Sequence, residues 1–108
     1  MEMPKPGKKT LERFEALAEN FAARGAKRSQ MFGMPVLKAA DKVFAGIYGE
    51  AMTFKLGPED LAAARERAGV EPFEPMPGRA MKEWVLVPAS HAKLWAGLAE
   101  QAFRYLAS

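Results

Sequence analysis

The chain has no cysteine among its 108 residues, a single histidine and only three serines. Without cysteine there are no disulfides, no thiolate nucleophile and no sulfur-ligated zinc or iron. His91 has no ligand-spaced pair of carboxylates near it in sequence, so it forms no zinc pattern and reads as a surface or helix-start histidine. Ser29, Ser90 and Ser108 stand in no G-x-S-x-G elbow, which removes the usual sign of acyl-transfer chemistry. The glycines of Gly46-Ile47-Tyr48-Gly49 and Pro77-Gly78-Arg79 make neither a dinucleotide fingerprint nor a Walker loop. Long apolar runs are also missing: none approaches the roughly 20 residues that a membrane-spanning helix needs. The opening MEMPKPGKKT lacks the apolar stretch of a secretory signal. The expectation is a soluble, cytoplasmic protein with no metal, no cofactor and no membrane partner.

What is present has the balance of a globular domain, with 49% hydrophobic, 27% charged and 10% aromatic residues. A chain of this length builds one modest core, so a single domain over residues 10–108 is expected behind a flexible basic arm, residues 1–9. The net charge of +3 is uneven: residues 1–42 hold nine Lys/Arg against five Asp/Glu, and residues 43–108 hold seven against eight. Two basic clusters, Lys8/Lys9 and Arg24/Lys27/Arg28, flank the first predicted helix and are candidate phosphate contacts. The plainer reading is a solvated helix whose basic last turn suits its dipole.

Apolar residues recur at helical spacing through Leu11, Phe14, Leu17, Ala18 and Phe21, with Thr10 as an N-cap candidate. Either Gly25 or the polar Lys27-Arg28-Ser29-Gln30 stretch ends this helix. The period then shortens. Pro35 to Lys38 reads as an edge strand because of its proline, and Val43 to Tyr48 and Ala51 to Leu56 read as a hairpin. Gly49-Glu50 between them suits a type II′ turn. Gly57-Pro58-Glu59-Asp60 opens a second helix that runs to Gly69. A connector with Pro72, Pro75, Pro77 and Gly78 leads to a strand over Lys82 to Val87, in which Trp84 and Leu86 alternate with Val85 and Val87. A last helix, with Ser90 as its cap candidate, carries Leu94, Trp95, Leu98, Ala102, Tyr105 and Leu106 as an apolar stripe. The order predicts an α+β domain with helices packed on an antiparallel sheet.

Within the connector, Met76, Arg79, Met81 and Lys82 combine two cations, two adaptable thioethers and a rigid proline frame, a candidate interaction loop. The alternative is that Phe73, Met76 and Met81 tuck beneath the sheet while Arg79 bonds backbone carbonyls in a turn. Glu71, Glu74 and Glu83 are the carboxylates that would have to converge if the connector held an acid–base pair. Phe32 reads as core, beside a Gly33 that supplies a conformation other residues resist.

Met31-Phe32-Gly33, Val43-Phe44-Ala45-Gly46, Phe54-Lys55-Leu56 up to Asp60, and Pro72 to Arg79 leading to Met81-Lys82-Glu83-Trp84 together resemble the N-terminal domain of the bacterial TfoX/Sxy regulators. YjbR/MmcQ-like domains are a more distant likeness. The resemblance covers nearly everything beyond the N-terminal arm. It implies a two-layer fold of helix, three-stranded antiparallel meander, helix, two strands and helix, with a short strand near Phe73. TfoX regulators carry a further C-terminal helical domain for which these residues leave no room, so a stand-alone domain is expected. The resemblance implies a regulatory role in transcription and supplies no catalytic residues. A non-enzymatic domain that binds a protein partner or self-associates is the leading expectation. Direct nucleic-acid binding through Lys8, Lys9, Arg24, Lys27 and Arg28 is the alternative, and a small enzyme the remote one.

Overall fold

A computed structural model describes residues 5–31, 33–75, 78 and 80–107. The first helix, α1 (Lys8–Ala22), buries Thr10, Phe14, Leu17, Ala18 and Phe21, the stripe expected from its 3.6-residue period. It starts at Lys8, earlier than expected, with Gly7 as the capping position. Thr10 is therefore a buried helical residue, not a cap. Its other end stops at Gly25, whose φ is +97°. There the Ala26 N–H donates to the Phe21 carbonyl and the Gly25 N–H to the Ala22 carbonyl, both at 3.1 Å, the paired bonds of a Schellman turn.

The Lys27 to Gln30 stretch is not a helix stop. It belongs to β1 (Lys27–Met31), which pairs antiparallel with β2 (Met34–Ala39). The sheet continues through β3 (Lys42–Tyr48), β4 (Ala51–Lys55), β6 (Trp84–Pro88) and β5 (Glu71–Pro72), with spatial order β1-β2-β3-β4-β6-β5. A four-stranded meander thus replaces the expected three-stranded one. The missed strand is polar because it is an edge: backbone pairing to β2 holds it, and Lys27 and Arg28 blunt its open side. As a result β2 lies inside the sheet despite Pro35. Pairing with β3 begins only at Val36, opposite Gly46, so the missing proline N–H costs that ladder nothing.

The Gly49-Glu50 turn is as expected, with Tyr48 opposite Ala51 and Gly49 at φ +62°. Between β2 and β3 the turn is made by Ala40 and Asp41, whose φ values are +50° and +62°. Both central residues in left-handed geometry is the type I′ signature, yet neither is glycine or asparagine.

Helix α2 (Pro58–Arg65) ends before the expected Gly69, and its last turn tightens through i to i−3 bonds from Glu66 and Arg67. After β6 the chain makes a 3-10 segment (Ala89–Leu94), capped by Pro88 and distorted at His91, before α3 (Trp95–Ala107) begins. Ser90 is accordingly inside the 3-10 segment and caps nothing. Among the described residues, no helix is long and apolar enough to cross a membrane.

One face of the sheet and all three helices share the main core. Leu37, Ile47, Met52, Phe54, Val85 and Val87 meet Phe14, Leu17 and Phe21 of α1, Ala64 of α2, and Trp95, Leu98 and Ala102 of α3. Phe44 links the layers: its ring lies 5.8 Å from Phe21 and 5.4 Å from Phe103, edge-on to both. The buried Trp95 indole donates to the Val87 carbonyl at 3.0 Å, so burying its N–H costs no hydrogen bond. The opposite face holds a smaller cluster of Met34, Val36, Phe73 and Trp84. Among the described residues no helix covers it; the connector does, its Phe73 fully buried.

Gly46 sits at the centre of that second face. A Cβ there would lie 2.9 Å from Val36 Cγ1, 3.3 Å from Met34 Cε and 3.3 Å from the Pro35 carbonyl oxygen. Gly46→Ala is expected to lower stability in urea denaturation by about 1–3 kcal/mol through overpacking. Gly97→Ala, in α3 with nothing near its Cβ direction, should instead raise it by about 0.5–1 kcal/mol. In the same assay Ala40→Asn should stabilise by roughly 0.5–1 kcal/mol, since asparagine accepts the left-handed geometry that alanine resists.

Candidate functional site

The structure separates the two basic clusters. Lys8 and Lys9 stand exposed at the start of α1 and Arg24 follows its end, roughly 24 Å away at 1.5 Å per helical residue, while Lys27 and Arg28 lie on β1, where Arg28 reaches Glu15 in the middle of the helix. Between them the exposed side of α1 presents Leu11, Glu12, Glu15, Ala16 and Glu19, so three carboxylates interrupt the cations. Arg24 is engaged: its guanidinium forks onto Glu100 at 2.6 and 2.9 Å and lies 4.4 Å from the Phe103 ring centroid and 5.2 Å from that of Phe21. The same Glu100 accepts from Arg104 Nε at 2.9 Å. Arg28 is held too, with Nε and Nη2 at 3.0 and 2.7 Å from the Glu15 carboxylate. Of the second cluster, only Lys27 takes part in no ion pair among the described residues.

These contacts leave an electrostatic mark. Hydrogen bonding to Arg24, and secondarily to Arg104, holds the Glu100 carboxyl at about 2, well below its ordinary 4.5. Arg24 moves upward for the reciprocal reason. Tyr105 is also raised, because its hydroxyl donates to Glu83 Oε2 at 2.5 Å and ionisation would bring a second negative charge there.

On the connector side, Met76 and Arg79 lie outside the described residues, whereas Met81 and Lys82 are placed. Met81 is half-buried against the second cluster, its N–H donating to the Phe73 carbonyl at 2.9 Å, and its carbonyl accepting from Trp84 at 3.1 Å. Lys82 is exposed, and its carbonyl accepts from Arg65 Nη2 at 3.3 Å, which ties the connector to α2. The tucked reading of Phe73 and Met81 therefore holds. Tyr48 packs edge-on against Phe73 at 5.2 Å, and Trp84 follows at 6.3 Å. Around this aromatic row, Met31, Val43, Tyr48, Met81 and Leu86 remain only partly buried. Sequence reasoning found Met81 but missed the others, which come from three different strands and reach one face only through the sheet register.

The three carboxylates considered for acid–base work are placed on the surface. Glu71 stands opposite Leu86 on the connector side, Glu83 turns to Tyr105 of α3, and all three, Glu74 included, are exposed. His91 is half-buried against Gly69, where a Cβ would fall 2.2 Å from its Cδ2. Among the described residues, no group of three or more His, Asp or Glu side chains is placed to hold a metal ion. A further concavity, of about 410 Å³, opens beside Lys27, Ser29 and Lys38 at the end of the sheet. Sequence reasoning named Lys27 there but gave Ser29 and Lys38 no role.

No family model matches the chain, and no curated protein or solved structure matches it either.

The Arg24–Glu100 pair has a pH signature with a definite sign. A carboxyl whose folded value is depressed contributes stability above its unfolded value and loses it as pH falls through the folded one. Stability of the native chain should therefore drop between pH about 4.5 and about 2. Glu100→Gln should lower stability at neutral pH and flatten that acid limb, as checked by thermal unfolding across the range.

Proposed function

We propose that this chain is a non-enzymatic regulatory domain of the TfoX N-terminal kind, and that it acts by binding a protein partner through the connector-side face of its sheet. The observation that carries the reading is the half-covered cluster there. Met31, Val43, Tyr48, Met81 and Leu86 are packed well enough to be ordered, yet each keeps part of its surface in water. Their rings and thioethers are the side chains that binding surfaces favour, since they offer large contact area and adapt to a partner at low entropic cost.

Charge narrows the partner. Lys55 stands opposite Trp84 in the β4–β6 register, and exposed Lys82 follows Met81, so cations flank the apolar cluster. Glu71 borders the far strand. A protein segment bringing apolar side chains with carboxylates beside them would match the Lys55–Lys82 side. Elsewhere among the described residues, charged side chains lie at the surface and the buried polar residues are Thr10 and Thr53. That distribution suits a surface that recognises. The α+β class, with three helices and an antiparallel sheet, is compatible with this reading, while the four-stranded meander departs from the three-stranded one expected.

A photo-crosslinking residue at exposed Lys82, compared with one at exposed Leu11 on α1, tests this in the protein's own cell extract. Lys82 should yield one discrete adduct that Leu11 does not. Repeating it with purified chain separates a second copy from a different protein. Identical products from the two positions, or none, would remove the reading.

A further inference from the structure

Lys27 and Lys38 stand directly opposite one another in the β1–β2 register. Like charges so placed repel, and the position is normally given to a pair of opposite sign. No ion pair reaches either ammonium among the described residues, while Arg28 between them in sequence has its carboxylate. Lys38 is moreover half-buried, so its ammonium is held beside that of Lys27. Ser29, two residues along β1, shares their side of the sheet because side chains alternate along a strand.

The three residues line the concavity of about 410 Å³, walled by the Gly25 turn and by the left-handed Ala40-Asp41 turn. Asp41 contributes one carboxylate to it and Arg28, held by Glu15, a guanidinium already paired, so the two ammoniums leave the niche net positive. Two ammoniums and a hydroxyl so placed match a compact multivalent anion.

We propose that this niche binds a phosphate-monoester dianion, with the Lys27 and Lys38 ammoniums on either side of it and the Ser29 hydroxyl donating to a third oxygen. Such a group carries nearly two negative charges and three strong acceptors, and lysine binds it as a point charge. The niche favours a single terminal phosphate over a nucleic-acid backbone. On the α1 side Arg24 and Arg28 are already paired and the helix face turns acidic at Glu12, Glu15 and Glu19, which interrupts a run of successive phosphodiester contacts in that direction. The niche lies on the same sheet face as the connector-side cluster, with Ser29 opposite Val36, but at its far end, and its ligand does not depend on that reading.

Amide NMR titration of the full chain at constant ionic strength, with inorganic phosphate in one arm and O-phosphoserine in the other, tests the proposal. Saturable shifts should centre on Lys27 to Ser29 and Lys38 to Asp41. Saturation by inorganic phosphate alone assigns the site to the free ion; tighter binding of O-phosphoserine assigns it to a phosphoester, and both support it. Lys27→Gln and Lys38→Gln should each weaken binding about tenfold, roughly the 1.4 kcal/mol of a lost charge contact. Lys55→Gln, on another strand, should leave it unchanged, and Asp41→Asn should tighten it. Binding should also fade from pH 7.5 to 5.5, as the phosphate takes up its second proton near a pKa of about 6. Shifts that match those of added chloride, a wild-type response from both lysine variants in a folded spectrum, or tighter binding of duplex DNA that depends on Lys8 and Lys9 would each overturn it.

Discussion

Ala51 to Phe54 of β4 are buried without exception, and a strand buried on both faces has to be shielded twice by whatever the rest of a 108-residue chain provides. That requirement organises the molecule. Three helices are enough for one face, where Phe44 and Phe103 bring β3, α1 and α3 into a single aromatic contact and Trp95 plants its indole against Val87. Among the described residues no helix is left for the other. The proline-framed connector takes that place, and being irregular it gives less cover than a helix: Phe73 closes the centre and the margin stays half-open. The surface proposed for binding is the remainder of this unequal division.

Gly46 shows how tight the second face is. Opposite Val36 in β2 and Thr53 in β4, it lets the Met34 and Val36 side chains lie directly on the sheet. The Gly49-Glu50 turn performs a different service at the sheet's end. The Glu50 carboxylate accepts from the Gly7 N–H at the start of α1, and its carbonyl accepts from Ala89 at 2.9 Å at the start of the 3-10 segment. Because α1 opens on two lysines and has no acid in its first turn, the positive end of its dipole is met by a carboxylate from 43 residues away.

Much of the architecture was readable. Apolar residues at a spacing of three and four placed α1 and α3, and Gly25 and Gly49 ended a helix and turned a hairpin at the expected positions. The alternation of Met52, Phe54 and Leu56 with Thr53 and Lys55 placed β4 but pointed to one face in water, whereas Thr53 is fully buried. The failures share one cause. Lys27 to Gln30 forms a strand with almost no buried side chain, so it carries no hydrophobic period, and only pairing with β2 makes it a strand. Thr10 and Ser90 had the chemistry of caps, but the ends they were assigned to were settled by Gly7 with Glu50 and by Pro88. The candidate sites were less legible still. Arg24 and Arg28 looked like available cations until Glu100 and Glu15 arrived from other elements to pair with them.

The amino-acid sequence by itself determined which segments become helices and where glycine reverses the chain, because those properties depend on neighbours a few residues apart. The tertiary structure decided which charges remain unpaired and which apolar side chains remain in water. Lys27 meets Lys38, and Tyr48 meets Phe73, only because strand register sets them opposite or adjacent across long stretches of chain. Register follows from burying both faces of the sheet at once, which no local pattern of residues records.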